Sequence, residues 1–384
     1  MKIANFNWGP GLFILGYHFF LLLFTPIYFF HFIPSWGMVA VSAVLLYVTG
    51  LSVTAGYHRL YSHTTYKIHP IIEGILLFFA TMAVQGSALR WAFDHREHHA
   101  FVDTDKDPYS IKKGFWFAHF LWLFKKPKEI EKKVVADLLR KPLIRFQHQF
   151  YAPLMILTNG LAFLFFGWCF DDYLGSFFWV WLMRMFFLHH FTWFINSLAH
   201  TWGARTFCQE LSAADNYLIS LLTFGEGYHN YHHTFAYDYR NGIRWYHFDP
   251  TKWLIWTLSK LGLASQLKKN QFYFIEKKLI LERKHLLLEK VNSSLGDYKK
   301  AWEEKIINLT ESMLTKLKQV SQLREDYRQL KKNKNGKKEN LYELRLQIKT
   351  IKKGLKEEYK HCRIFSRDTM AFCIDPNKIG DGTI

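Results

Sequence analysis

Three histidine clusters, HRLYSH from His58 to His63, HREHH from His95 to His99 and HNYHH from His229 to His233, stand at the ends of long apolar segments. Eight imidazoles do not gather this way for packing. Neutral imidazole is the commonest protein ligand for iron, zinc and copper, and eight can surround two metal ions without a bridging carboxylate from the same boxes. Any fold of this chain must therefore close its apolar segments so that all three clusters meet within a few ångströms. The expectation is a dinuclear metal enzyme built into a membrane.

Composition agrees once the chain is divided. The mean hydropathy of −0.09 averages two unlike parts. Residues 1–264 carry nearly all the Trp and most of the Phe, whereas residues 265–384 hold 28 Lys and Arg against 16 Asp and Glu, a net +12 of the chain's +18. Two domains are expected, a membrane domain with a cytoplasmic cap over 1–264 and a basic helical extension over 265–384. Four stretches, Gly11 to Ile33, Trp36 to Tyr57, Tyr151 to Phe170 and Ser176 to Asn196, are apolar enough to cross a hydrocarbon core of about 30 Å, which takes roughly 20 helical residues.

The turns at Pro34 to Trp36 and Asp171 to Gly175 lack basic residues, while residues 58–148 are rich in Lys and Arg. Positive loops stay inside, so both termini and every cluster are expected on the cytoplasmic side. Residues Met1 to Pro10 lack the basic start and small-residue cleavage site of a secretory leader, so the first apolar run is expected to be kept. A fifth apolar run, Ile71 to Leu89, would put the second cluster across the membrane from the first if it crossed. It is expected to lie at the interface or to dip in and return. The fold class expected is an all-α integral membrane protein: four transmembrane helices, a cytoplasmic helical cap carrying a dinuclear metal site, and a C-terminal helical hairpin.

In HREHH and HNYHH the histidines fall at i, i+3 and i+4, on one helix face, where they can approach one site. His58 and His63 are separated by about 140° on an ideal helix, so that helix is expected to end or bend between them. Asn196 and His200 in NSLAH repeat the i, i+4 spacing at the inner end of the fourth span. The remaining histidines are read differently. His18, His31, His69, His148, His247, His285 and His361 are expected as satisfied or exposed groups, and His119, His189 and His190 as packing or hydrogen-bonding residues.

At this length and in this order the motifs resemble the membrane fatty-acyl desaturases of the stearoyl-CoA desaturase type. The likeness covers roughly residues 35 to 260 and includes TAGYHRLYSH (Thr54 to His63), WAFDHREHH (Trp91 to His99), DTDKDP (Asp103 to Pro108), NSLAH (Asn196 to His200) and GEGYHNYHH (Gly225 to His233). The resemblance implies a four-span fold with a cytoplasmic cap and O2-dependent insertion of a cis double bond at Δ9. It implies a di-iron centre held by His58, His63, His95, His98, His99, His200, His229, His232 and His233, with Asn196 acting through water. Gln85, Trp91 and Thr192 match family positions that kink the acyl chain beside the metals.

Chemistry read from the residues agrees. A redox-active pair in an all-nitrogen shell suits O2 activation, which zinc cannot perform. A featureless alkyl chain must then be placed by a narrow apolar tunnel. Ligating imidazoles need partners on their other nitrogen, and Asp94, Glu97, Asp103, Asp107 and Glu226 are the carboxylates nearest the clusters. Lys125 and Lys126 stand at an expected basic site for coenzyme A, but Phe93 stands where the family often has Arg. Acyl-CoA is favoured, and chains on a carrier protein or in a phospholipid stay open, as does hydroxylation on the same scaffold; metal transport is a minor alternative.

The chain has no HPGG-type haem motif, no Gly-rich dinucleotide fingerprint and no CxxC, so haem and flavin are not expected. Electrons should come from an external donor, a ferredoxin or a cytochrome b5, steered by the basic face. Cys169, Cys208, Cys362 and Cys373 are scattered, as suits a reducing compartment. The lipid bilayer is an expected partner and nucleic acid is not. In the extension, apolar residues from Leu295 to Leu330 and from Leu341 to Tyr359 recur every three or four positions around the breaker KKNKNGKK, which reads as a helical hairpin for oligomerisation or partner docking, or as an appendage lying on the cap or lipid.

Overall fold

The computed structural model describes residues 6–294, 299–332 and 338–374. The first five residues, Leu295, residues 333–337 of the breaker KKNKNGKK and the side chain of Cys373 lie outside what is described. The chain divides into two compact units, Met1–Lys269 and Asn270–Ile384.

The first unit opens with α1 (Trp8–His31) and, after a short linker holding Pro34, α2 (Trp36–Ser52). α2 runs on without a break into π-helical turns over Val53–Ser62. α3 (Pro70–Thr81) begins where the His69 ring accepts from the Ile71 amide and Pro70 fills the first turn. Its 12 residues make about 18 Å of helix, too short to cross about 30 Å of hydrocarbon. α4 (Ala88–Phe101) is capped by the Ser87 hydroxyl. The short helices α5 (Phe115–His119), α6 (Ala136–Leu139) and α7 (Pro142–Gln149) lead to α8 (Tyr151–Cys169).

The expected fourth span is helical throughout 173–197, as α9 (Tyr173–Ser176), a π segment (Phe177–Met183) and α10 (Arg184–Ser197). Three short helices follow, α11 (Tyr217–Leu222), α12 (His229–Thr234) and α13 (Pro250–Lys260), the last capped by Asp249. Two-residue strands, β1 (Lys67–Ile68) and β2 (Ala264–Ser265), pair antiparallel, with Lys67 opposite Ser265 and Ile68 opposite Ala264. So short a ladder leaves no alternating signature, and it departs from the all-α expectation.

Among the described residues three helices, Trp8–His31, Trp36–Ser62 and Tyr151–Cys169, are long and apolar enough to cross a membrane. The helix over 173–197 is not one of them, because it carries Arg184, His189 and His190. α1 shows how such a helix is used. Ile14, Tyr17, Leu21 and Tyr28 form one stripe that packs on Phe178, Leu182, Met185 and Trp193, while Phe19, Leu22, Leu23, Ile27 and Phe30 stand exposed. An apolar face of that extent is unfavourable in water and favourable in lipid.

The second unit holds a helix that was not expected, α14 (Phe272–Ser294), followed by the two of the expected hairpin, α15 (Lys299–Lys332) and α16 (Lys338–Ile374). Ile280, Leu287 and Val291 of α14 pack with Ile306, Met313 and Leu317 of α15 and with Leu355 and Cys362 of α16. The runs Leu279 to Leu281 and Leu286 to Leu288 wrap apolar residues around α14 and blur its helical period.

Candidate metal centre

The π-helical turns solve the awkward spacing of HRLYSH. The helix ends at Ser62, between His58 and His63 as expected, and the sequence did not show that its last turns are π-wound. The His63 amide donates to the His58 carbonyl at 3.2 Å, the i to i+5 closure of a π-helix, and the two rings lie 4.9 Å apart. His95, His98 and His99 project from α4, His229, His232 and His233 from α12, and His200 from the 3-10 turn after α10. In the segment leading to α12, Gly225 has φ +98°, and a Cβ on Gly227 would stand 2.2 Å from the Ser220 backbone nitrogen. Only glycine fits both demands of GEGYHNYHH.

Nine imidazoles converge in two groups, His58, His63, His95, His99 and His232 in one, and His98, His200, His229 and His233 in the other, and either group could hold a metal ion. This corrects the expectation that each i, i+3, i+4 cluster serves one site. On each ligand helix the i, i+4 pair serves one group and the i+3 residue the other: His95 and His99 against His98, His229 and His233 against His232. Asn196 lies on the last turn of α10, four residues before His200.

The Nε2 atoms face one another. His232 Nε2 is 3.0 Å from both His58 Nε2 and His99 Nε2, and His229 Nε2 is 3.1 Å from both His200 Nε2 and His233 Nε2. The outer nitrogens explain the inner ones. His58 Nδ1–H donates to Glu226 at 2.9 Å and His98 Nδ1–H to Asp107 at 2.9 Å. His200 Nδ1–H donates to Ser212 Oγ at 2.6 Å, because the Ser212 hydroxyl itself donates to Asp103. These acceptors fix the tautomer and leave three inward Nε2 atoms as bare lone pairs. One proton cannot satisfy such a crowd of ring nitrogens; a cation can, so the donor set fits metal ions.

Burial first, and neighbouring imidazoles second, push His63, His95, His99, His229, His232 and His233 well below the ordinary imidazole value, and His200 down to about 3. They stay neutral, as ligands must. Burial alone would raise the Glu226 carboxyl, but His58 and Arg59 outweigh it and hold the group down to about 2.

The five candidate carboxylates divide. Glu226 and Asp107 meet histidines directly and Asp103 reaches His200 through Ser212. Asp94 instead pairs with Arg90, one turn back on α4, and Glu97 with Lys128 at 2.7 Å. Asp94 directly precedes the box and Glu97 lies within it, yet both pair away from the ligands. Tyr109, whose hydroxyl is 3.1 Å from His95 Nδ1, and Arg59, which donates to both Glu226 and Asp249, were not anticipated. Their signal was position, inside HRLYSH and directly after DTDKDP. Ser212 had no such signal. Replacing Asp107 with Asn keeps the shape and removes the charge behind His98; metal affinity, read by chelator competition, is expected to fall about 10–100-fold.

Trp91 stacks on the His95 ring, centroids 4.9 Å apart, and Gln85 Nε2 donates to Thr192 Oγ1 at 2.9 Å. Lys125 and Lys126 are exposed, Lys125 in a backbone bridge with Phe6. The histidines read as packing residues join neither group. His189 takes the Tyr17 hydroxyl on Nδ1 and donates from Nε2 to the Ala83 and Val84 carbonyls. His18, His190 and His119 form a hydrogen-bonded row ending at Ser197.

A helical protein with membrane-length apolar segments and a histidine-built centre for metal is the class that this fold and site define. The family model described as fatty acid desaturase matches residues 34–265. A probable acyl-CoA desaturase of Schizosaccharomyces pombe is 39% identical over 74% of this chain and 59% of its own length. Acyl-CoA desaturase 1 of Saccharomyces cerevisiae is 41% identical over 63% of this chain and 48% of its own. The sn-1 stearoyl-lipid 9-desaturase of Anabaena variabilis is 35% identical over 68% of this chain and 94% of its own. The chain thus spans about half to three fifths of the two yeast relatives. It belongs to the fatty acid desaturase family, whose members use iron.

Proposed function

We propose that the protein is an O2-dependent fatty acyl desaturase that introduces a cis double bond at Δ9 into a saturated chain carried as acyl-CoA. The observation that carries this reading is the pair of inward nitrogen groups, five and four, built without a carboxylate. The yeast relatives are named for acyl-CoA and the Anabaena relative for position 9 of a lipid-linked chain. Two iron ions, one in each group and with Asn196 reaching one through water, would supply the redox capacity to reduce O2 at the expense of two C–H bonds.

The chain's residues prepare that chemistry. Glu226, Asp107 and Ser212 keep protons on the Nδ1 atoms of His58, His98 and His200, so that Nε2 is free to ligate. Trp91 covers the His95 ring and, with Gln85 and Thr192, forms the wall against which the acyl chain bends. Burial of the ligands excludes water. Lys125 and Lys126 stand free to meet the phosphates of coenzyme A.

The three apolar helices and the helix over 173–197 make up four spans in this reading, with both termini and the centre on the cytoplasmic side. Residues 1–264 are the catalytic domain, and residues 265–384 a helical extension for a second copy or a partner. Electrons come from a ferredoxin or cytochrome b5, drawn to the basic face.

The test is fatty-acid analysis, with double-bond localisation, of cells expressing the chain beside cells carrying an empty vector. New Δ9 cis-monoenes that require O2 are expected. Hydroxylated chains would select oxygen rebound instead, and unchanged lipids in cells holding iron-loaded protein and an active donor would overturn the reading.

A further inference from the structure

Residues 82–87, the turn between α3 and α4, are irregular backbone held almost residue by residue by two neighbours. From α10, Arg184 donates to the Met82 carbonyl at 3.2 Å, His189 to the Ala83 and Val84 carbonyls at 3.1 Å, and Thr192 receives the Gln85 amide. The contacts climb α10 in the order of the turn's own residues. From the opposite side Gln147 accepts from the Ala88 amide at 3.0 Å, His148 meets the Ser87 hydroxyl at 2.6 Å, and Tyr151 accepts from the Gly86 amide at 2.9 Å.

Two features mark this clamp as more than packing. Arg184 is 1% exposed, and among the described residues no carboxylate pairs with it; its other partners are the Val180 carbonyl and Asn159 Oδ1. A buried guanidinium without a counter-ion is costly, and it persists here by capping the carbonyl end of α3. Val84, a β-branched residue, sits at φ +58°, a strained conformation that survives only where the surroundings over-determine it. None of these groups is needed to hold metal.

The turn leads straight into the centre. Ser87 caps α4, Trp91 lies on its first turn against His95, and His95, His98 and His99 follow on the same helix. An alkyl chain offers no polar handle, so the carbon presented to the metals is decided by where its walls stand, and a displacement of about 1 Å is enough to matter.

We propose that Arg184 and His189 are positioning residues for regioselectivity: by fixing the turn at 82–87 they set where Gln85 and Trp91 hold the acyl chain, and hence which C–C bond is oxidised. This rests on the desaturase reading.

The test uses the full chain with Arg184→Lys, His189→Gln or Tyr151→Phe, comparing double-bond positions in the products, with iron content and melting temperature measured alongside. The wild type is expected to give one dominant isomer and the variants a second, at roughly a tenth of the product, a residual tenfold preference worth about 1.4 kcal/mol. Tyr151→Phe removes one hydroxyl and keeps the test open should the two α10 variants fail to accumulate. Lower yield or iron content with positional purity intact would overturn the proposal and leave the desaturase standing. No new double bond from the wild type would instead overturn the reading beneath it.

Discussion

His98→Ala is expected to abolish product, by more than about 100-fold, beyond what losing an outer partner of a ligand costs, while the folded protein keeps metal in its other group. The reason is geometric. His98 is the α4 residue that serves the four-membered group with His200, His229 and His233, and the five-membered group does not include it. Iron by mass spectrometry should fall from about two ions per chain toward one, a non-integer loss being the sign of general unfolding. Retention of both ions with full activity would remove His98 from the ligand set, and with it the division into five and four.

Arg59→Met should be the most destabilising single change outside the ligands. Arg59 is 1% exposed and donates to Glu226 at 2.9 Å, to Asp249 at 2.9 Å and to the Tyr239 carbonyl at 2.7 Å. Removing it strands two buried carboxylates, a loss of about 3–5 kcal/mol. The damage spreads along known contacts. Glu226 orients His58, and Asp249 caps α13 and accepts from the Asn241 and Gly242 amides. Thermal unfolding in detergent reads the effect, and Arg59→Lys should recover part of it, since an ammonium restores the charge but not the fork. Equal melting of Arg59→Met and wild type would show that the cluster contributes little to stability.

What could be read from the sequence, and what could not, follows from the range of each interaction. The ligands lie within five residues of one another in each box, so local spacing exposes them. Their allocation between two groups depends on how α4 and α12 face each other, a relation between residues more than 130 apart in the chain that spacing does not carry. The π winding at Val53–Ser62 is likewise invisible to a rule that assumes 3.6 residues per turn. Proximity in sequence marks Glu226 and Asp107 no differently from Asp94 and Glu97, because it cannot tell which way a side chain points from the backbone. Ser212 meets Asp103 from 109 residues away and left no trace. Among the apolar helices, Trp8–His31 and Tyr151–Cys169 are plain because nothing charged interrupts them, whereas in the helix over 173–197 Arg184 and His189 bond the turn at 82–84 and His190 joins His18 and His119.

The division of labour on α4 and α12 has a mechanical meaning. Each helix is a yoke harnessed to both groups at once, with its i, i+4 pair pulling on one and its i+3 residue on the other. Neither can tilt or slide without dragging all the nitrogens together, so the separation between the groups is as stiff as the helices themselves. On the proposed function, room for an acyl chain to enter and leave has to come from parts of the protein that bear no ligand.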